Sequence, residues 1–327
     1  MGIQPILDFC KKFSKIICIS IIILISLIIL LIVLLLLFGG VKPIKDDYYQ
    51  DIKTNFPIEN KYRILGKYEV ENQKYKISDK QYKEIVVYYP KNIKDLKIKF
   101  PIVVMANGTG VPYNKYIAIF KHLASWGFIV IGNDHEWSYS GESTIYSLNY
   151  IKKFNDDSNS IFYNKFDLDN IGVAGHSQGG VSAIHTVYNF TESSLFKTIY
   201  AASPTGKSFI KNLKLESFEY DISKIKIPIL MLVATGKTDS NSIIPLEDLQ
   251  YNYNNLTEGV PAVIGRRKNC DHGDMLIYGD PYMTAWFCYL LKSDDEAKDA
   301  FVGNQPEIYK NNDNWQDVQF KGFNIII

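Results

Sequence analysis

Apolar and polar positions along the chain fall into three regimes. Residues 16–38 are apolar on every face, interrupted only by Cys18, Ser20 and Ser26, and carry no charge. At ~1.5 Å per residue that stretch spans about 34 Å as a helix, enough to cross a bilayer core. A buried core helix would be shorter and one-sided. A cleavable signal peptide would have a shorter apolar region and a clearer small-residue cleavage site than Leu37-Phe38-Gly39-Gly40 offers. The pattern therefore predicts a single uncleaved transmembrane helix over 16–38, with the lipid bilayer as partner, behind a short tail of residues 1–15. Lys11, Lys12 and Lys15 on its leading flank favour an inside amino terminus and an extracytoplasmic globular portion.

Residues 39–60 are polar, contain Pro43 and Pro57 and show no period, which predicts a linker. Residues 61–327 read as one domain. Tyr68–Ile77 and Glu84–Tyr89 are rich in Tyr, Val and Ile around a polar turn, which predicts two antiparallel strands. Short continuous apolar runs follow at Pro101–Ala106, Phe128–Gly132, Ile171–Ala174, Thr198–Ser203, Ile229–Ala234 and Ala262–Arg266. Helical stretches alternate with them at Tyr113–Trp126, Gln178–Asn189 and Pro281–Leu291. Strands apolar on both faces and separated by helices predict a mostly parallel central sheet with helices on both faces.

Composition narrows the classes. A hydrophobic fraction of 46% with 22% charge excludes a disordered chain. Lys+Arg at 36 against Asp+Glu at 35 gives +1, which excludes a broadly electrostatic nucleic-acid binder. Cys10, Cys18, Cys270 and Cys288 form no CxxC pair, so a zinc knuckle is not expected. Cys270 and Cys288 would pair only if the fold brought their Cα atoms within about 7 Å.

The chemistry starts after Ile171–Ala174. Gly175-His176-Ser177-Gln178-Gly179 is a G-x-S-x-G sequence with a strand before it and a helix after it. In that context Gly175 and Gly179 make room for a tight strained turn that lifts Ser177 clear of the sheet as a nucleophile. A serine needs a base, and the base an acid; in this architecture the chain order is Ser, Asp or Glu, His. Among His122, His135, His176, His185 and His272, only His272 lies after a later strand, so it is the candidate base. Asp239 is the first carboxylate past Ile229–Ala234 and is the candidate acid; Glu247 and Asp248 fall where a helix should follow Pro245. Asp271 and Asp274 flank His272, but no second ligand cluster of recognised spacing supports a metal, and they read as loop solvation. Backbone N–H groups of Gln178 and of Thr109, in Asn107-Gly108-Thr109-Gly110, are the expected oxyanion donors. Tyr139–Phe166 holds several aromatic residues and reads equally as a cover over the site or as an ordinary crossover helix with a surface loop.

With these residues in place the sequence resembles the α/β-hydrolase superfamily, in the branch of cutinase-like polyester hydrolases, dienelactone hydrolases and chlorophyllases. The likeness covers about residues 80–303. It rests on Pro101-Ile102-Val103-Val104 with Asn107–Gly110, on His122-Leu123-Ala124-Ser125-Trp126-Gly127-Phe128, on Ile171–Gly180, and on Met283-Thr284-Ala285-Trp286-Phe287. The resemblance implies hydrolysis of small-molecule carboxylic esters without a cofactor. It stops short of polyester cleavage at Ala201-Ala202-Ser203-Pro204-Thr205-Gly206, which lacks the aromatic platform of those enzymes, and the following loop, Lys207–Lys226, is longer. The expectation is a membrane-anchored serine esterase. A catalytically weak binding or scaffold module, and the same residues acting on thioesters or peptides, stay open.

Overall fold

Apolar runs with no polar face must be covered on both sides, and the strands are arranged to allow this. The computed structural model describes residues 42–323. Its strands are β1 (Val70–Lys76), β2 (Glu84–Pro90), β3 (Phe100–Ala106), β4 (Ile129–Asn133), β5 (Phe166–His176), β6 (Phe196–Ala202), β7 (Ile229–Ala234), β8 (Ala262–Arg267) and β9 (Trp315–Lys321). They form a nine-stranded sheet in the order β1-β2-β4-β3-β5-β6-β7-β8-β9. From β4 to β8 the neighbours are parallel; β1, β2 and β9 join antiparallel. The period of two sorts each central strand between two cores. Val103 and Met105 of β3 face one layer and Ile102 and Val104 the other, and Leu230 and Leu232 of β7 likewise oppose Ile229 and Met231.

The α-helices longer than one turn are α1 (Pro57–Arg63), α2 (Ile117–Ser125), α3 (Glu142–Lys152), α4 (Gln178–Thr186), α5 (Lys207–Asn212), α6 (Leu246–Asn255) and α7 (Asp280–Lys292). α2 and α7 supply Phe120, Leu123, Trp286 and Phe287 to the first layer; α3, α4 and α6 supply Leu148, Ile184 and Leu249 to the second. β5 lies between β3 and β6, so its C-terminal end, where Ser177 follows, sits mid-sheet.

Two expectations are corrected. The fold class loses its transmembrane helix: among the described residues no helix is long and apolar enough to cross a membrane. The 13 residues of α7 fall short of the roughly 20 a span needs. The segment 16–38 lies outside the described residues, so the architecture supported is the α/β sheet domain alone. The polar stretch expected as a linker up to residue 60 is packed: Tyr48, Ile52 and Ile58 are buried in the first core layer. α1 starts with Pro57 at a position that needs no N–H donor, and the Glu307 carboxylate accepts from the N–H groups of Ile58 and Glu59 at 2.7 and 2.8 Å. Of the two readings of 139–166, the crossover helix is present as α3, and Tyr146, Tyr150 and Phe154 pack on Tyr82 and Tyr75 beside the β1 edge. Cys270 and Cys288 are buried free thiols.

Candidate active site

β5 ends at His176, and the chain turns through Ser177 at φ 59°, ψ −124° before α4 begins. An L-residue at that φ is strained, and the close approach of backbone around it keeps it there. A Cβ on Gly175 would lie 1.9 Å from the Gly179 carbonyl oxygen, and one on Gly179 would lie 2.3 Å from that of Ala106. Glycine at both positions is therefore a contact requirement between strand and helix backbones, as the motif predicts.

Asp239 and His272, far apart in the chain, are directly bonded. His272 Nδ1 is 2.6 Å from Asp239 Oδ1, with Asp239 fully buried and His272 partly exposed. Asp239 opens a π-helical turn after β7. Its Oδ2 accepts from the Ala234 N–H at 2.8 Å and from Ser203 Oγ. Both carboxylate oxygens are thus fixed. Because the carboxylate accepts, Nδ1 of His272 carries the hydrogen and Nε2 is the basic nitrogen. Ser177 Oγ has no hydrogen-bond partner among the described residues; in such sites the bond to the base commonly forms only with substrate bound.

The 107–110 loop, the candidate oxyanion loop, is positioned by side-chain contacts that sequence reasoning did not single out. Asn107 Nδ2 donates to the carbonyls of Asn133 and His135 at 2.7 and 2.9 Å. Ser138 donates its Oγ–H to the Asn107 carbonyl (2.5 Å) and its N–H to Gln178 Oε1 (2.8 Å). The loop after β3, the loop after β4 and the start of α4 are thereby tied together. Within the oxyanion loop, the Gly108 N–H is taken by Tyr116 OH (2.9 Å) and the Gly110 N–H by the Glu136 carbonyl (3.1 Å). The Thr109 and Gln178 N–H groups are left without a partner among the described residues, and Gln178 adds the positive end of α4.

Asp271 does more than solvate its loop. It accepts from the Thr238 N–H (3.0 Å), Thr238 Oγ1 (2.8 Å) and the His272 N–H (2.8 Å), while its own N–H donates to Asp274 Oδ2 (2.8 Å). Burial alone would raise the Asp271 carboxyl, but these donors hold it below its ordinary value, so the staple between acid and base loops persists to acid pH. Asp271→Ala is expected to lower kcat for an ester substrate by ~10- to 100-fold with little change in KM, since a displacement of about 1 Å in a catalytic group costs that much. Steady-state kinetics beside a melting curve checks it. Asp248 is used elsewhere: it accepts from the Ser208 N–H and Oγ–H at 2.8 and 2.9 Å and caps α5. Among the described residues no group of His, Cys, Asp and Glu is placed to hold a metal ion.

A family model described as chlorophyllase matches residues 61–246, more than half of the 327-residue chain. The chain belongs to the chlorophyllase family. Membership makes this chlorophyllase-family protein an α/β-hydrolase acting on esters. The matched span takes in Thr109, Ser177, Gln178 and Asp239 and stops before His272. No curated protein matches the chain. In this chlorophyllase-family chain Ser203, at φ 41° just after β6, is bonded to Asp239, and the loop that follows contributes Phe218, stacked on Tyr139 at 4.8 Å.

Proposed function

We propose that this protein is a serine hydrolase that cleaves carboxylic esters through Ser177, His272 and Asp239 and an acyl-enzyme. The observation that supports this reading is the 2.6 Å bond between His272 Nδ1 and a buried, doubly anchored Asp239 at the strand ends where the Ser177 turn stands. Ser177 Oγ attacks the ester carbonyl while His272 Nε2 takes its proton, and Asp239 stabilises the imidazolium. The Thr109 and Gln178 N–H groups bind the oxyanion. His272 then gives the proton to the leaving alcohol. Water enters, loses a proton to His272 and attacks the acyl-serine; collapse returns the proton to Ser177 Oγ and releases the carboxylic acid.

The test is covalent. Purified full-length protein treated with a fluorophosphonate probe should carry one adduct, mapped by mass spectrometry to Ser177. Before labelling it should turn over p-nitrophenyl acetate and butyrate faster than a matched thioester or anilide. An adduct at another serine, or no adduct together with no ester turnover, overturns the reading.

A further inference from the structure

His176 fills the variable place in the Gly175–Gly179 turn, yet it is buried and engaged on two sides. Its Nε2 lies 2.8 Å from the His272 carbonyl oxygen. A carbonyl only accepts, so Nε2 carries the hydrogen and the ring is the Nε2–H tautomer. The His176 and His272 rings are 4.4 Å apart between centroids and tilted by 40°. On the opposite side His176 borders the oxyanion loop: a Cβ on Gly108 would be 3.4 Å from the His176 carbonyl oxygen and 3.8 Å from its Nδ1. One residue therefore adjoins the nucleophile in sequence and the base and oxyanion loops in space.

We propose that His176 is a positioning residue for the base: its Nε2–H pins the His272 carbonyl, and its neutral ring gives the His272 imidazolium a π-face to rest against. The inference rests on the reading of His272 as general base. Two protonated rings at 4.4 Å would repel, so the arrangement works only while the inner ring stays neutral. Burial, and then the neighbouring His272, push His176 down to about 3, which keeps it neutral where esterases work. The groups around the pair do not upset this. His272 is faced by Asp239 on its Nδ1 edge and capped through its backbone by Asp271. His176 lines a small cavity with Tyr116, Tyr200 and Asp280. Burial holds Tyr116 and Tyr200 protonated, and the Asp280 Oδ2 that carries its bonds is engaged by His122 and Tyr48. With Asp239 already bonded to Nδ1, a charge appearing on His272 during proton transfer meets the polarisable face of His176 instead of a second cation.

Two substitutions in the full-length protein separate the roles. His176→Phe keeps a ring and loses the donor; His176→Gln keeps a donor and loses the ring. With p-nitrophenyl butyrate both are expected to lower kcat by ~10- to 100-fold at nearly unchanged KM. Only His176→Gln should also move the acid limb of the kcat/KM profile, and to lower pH: a less stabilised imidazolium gives up its proton earlier as pH rises. Wild-type kcat with an unmoved acid limb in both variants overturns the proposal, as does an equal loss in both with the limb unmoved, which is what mere packing would give. If His176→Phe fails to melt cooperatively, His176→Gln still decides by its acid limb; if His176→Gln fails, His176→Asn, which also keeps a donor and loses the ring, takes its place. Absence of Ser177-dependent turnover in the wild type would instead overturn the reading beneath.

Discussion

Ser177→Ala is expected to lower kcat for p-nitrophenyl butyrate by roughly 10⁴- to 10⁶-fold, the scale on which removing a serine nucleophile acts in other hydrolases. That corresponds to about 5–8 kcal/mol of lost transition-state stabilisation. Without Oγ no acyl-enzyme forms, and what remains is whatever the Thr109 and Gln178 amides do for direct attack by water. Alanine keeps the Cβ and meets the same φ of 59°, so the strain of the turn and the tight contacts of Gly175 and Gly179 are unchanged. The melting temperature should stay within a degree or two while activity disappears. That pairing separates loss of chemistry from loss of fold. Residual turnover above about one per cent of wild type, in protein free of contaminating esterase, would mean that another group attacks the carbonyl.

What could be seen in the sequence, and what could not, follows from where each constraint originates. β3, β7, the Ile171–Ala174 part of β5 and the Ala262–Gly265 part of β8 are buried on both faces and therefore appear as unbroken apolar runs, whereas Asp167-Leu168-Asp169-Asn170, early in β5, are mostly polar and partly exposed. The Ser177 turn is equally legible because its constraint is local, glycines two residues to either side. That Asp239 and His272 meet could be expected from chain order alone, since parallel strands deliver successive C-terminal loops to the same edge of the sheet. α1 was hidden because its cap comes from Glu307, 249 residues downstream of Ile58, and the buried Glu59 is satisfied by Asn311 Nδ2 and Trp315 Nε1. β9 was hidden because it is a half-exposed edge strand broken by Asp317 at φ 54°, with a register shift opposite. Ser203, Asp271 and His176 share one reason: each acts through a contact between loops distant in the chain, and nothing in its own neighbourhood announces the partner.

Asp280→Asn is expected to lower the melting temperature by roughly 6–15 °C near pH 6, the counterpart of ~3–5 kcal/mol for breaking a buried ion pair. His122 Nδ1 lies 2.9 Å from Asp280 Oδ2, both side chains being fully buried, and Tyr48 OH donates to the same oxygen at 2.6 Å. The other ring nitrogen of His122 faces the Ile64 carbonyl at 2.9 Å. Asp280 and the Ile64 carbonyl thus place an acceptor at each nitrogen, with Thr284 Oγ1 also 3.2 Å from Nδ1, an arrangement that favours the imidazolium inside the core. Burial works against that charge, but Asp280 and the carbonyl contacts outweigh it and hold His122 above its ordinary value. The sign of the pH dependence follows. A histidine raised in the folded state stabilises fully below its unfolded value of about 6.5, and that contribution is lost as pH rises through the folded value. Wild-type stability should therefore decline as pH rises above about 6.5 through this pair. In Asp280→Asn the counterion is gone and burial dominates, so His122 folds neutral and stability should instead rise with pH up to about 6.5 and be flat above it. Thermal melts of both proteins from below to above that value measure the two slopes. A variant that melts with wild type and keeps the wild-type slope would show that the pair is not charged in the folded protein.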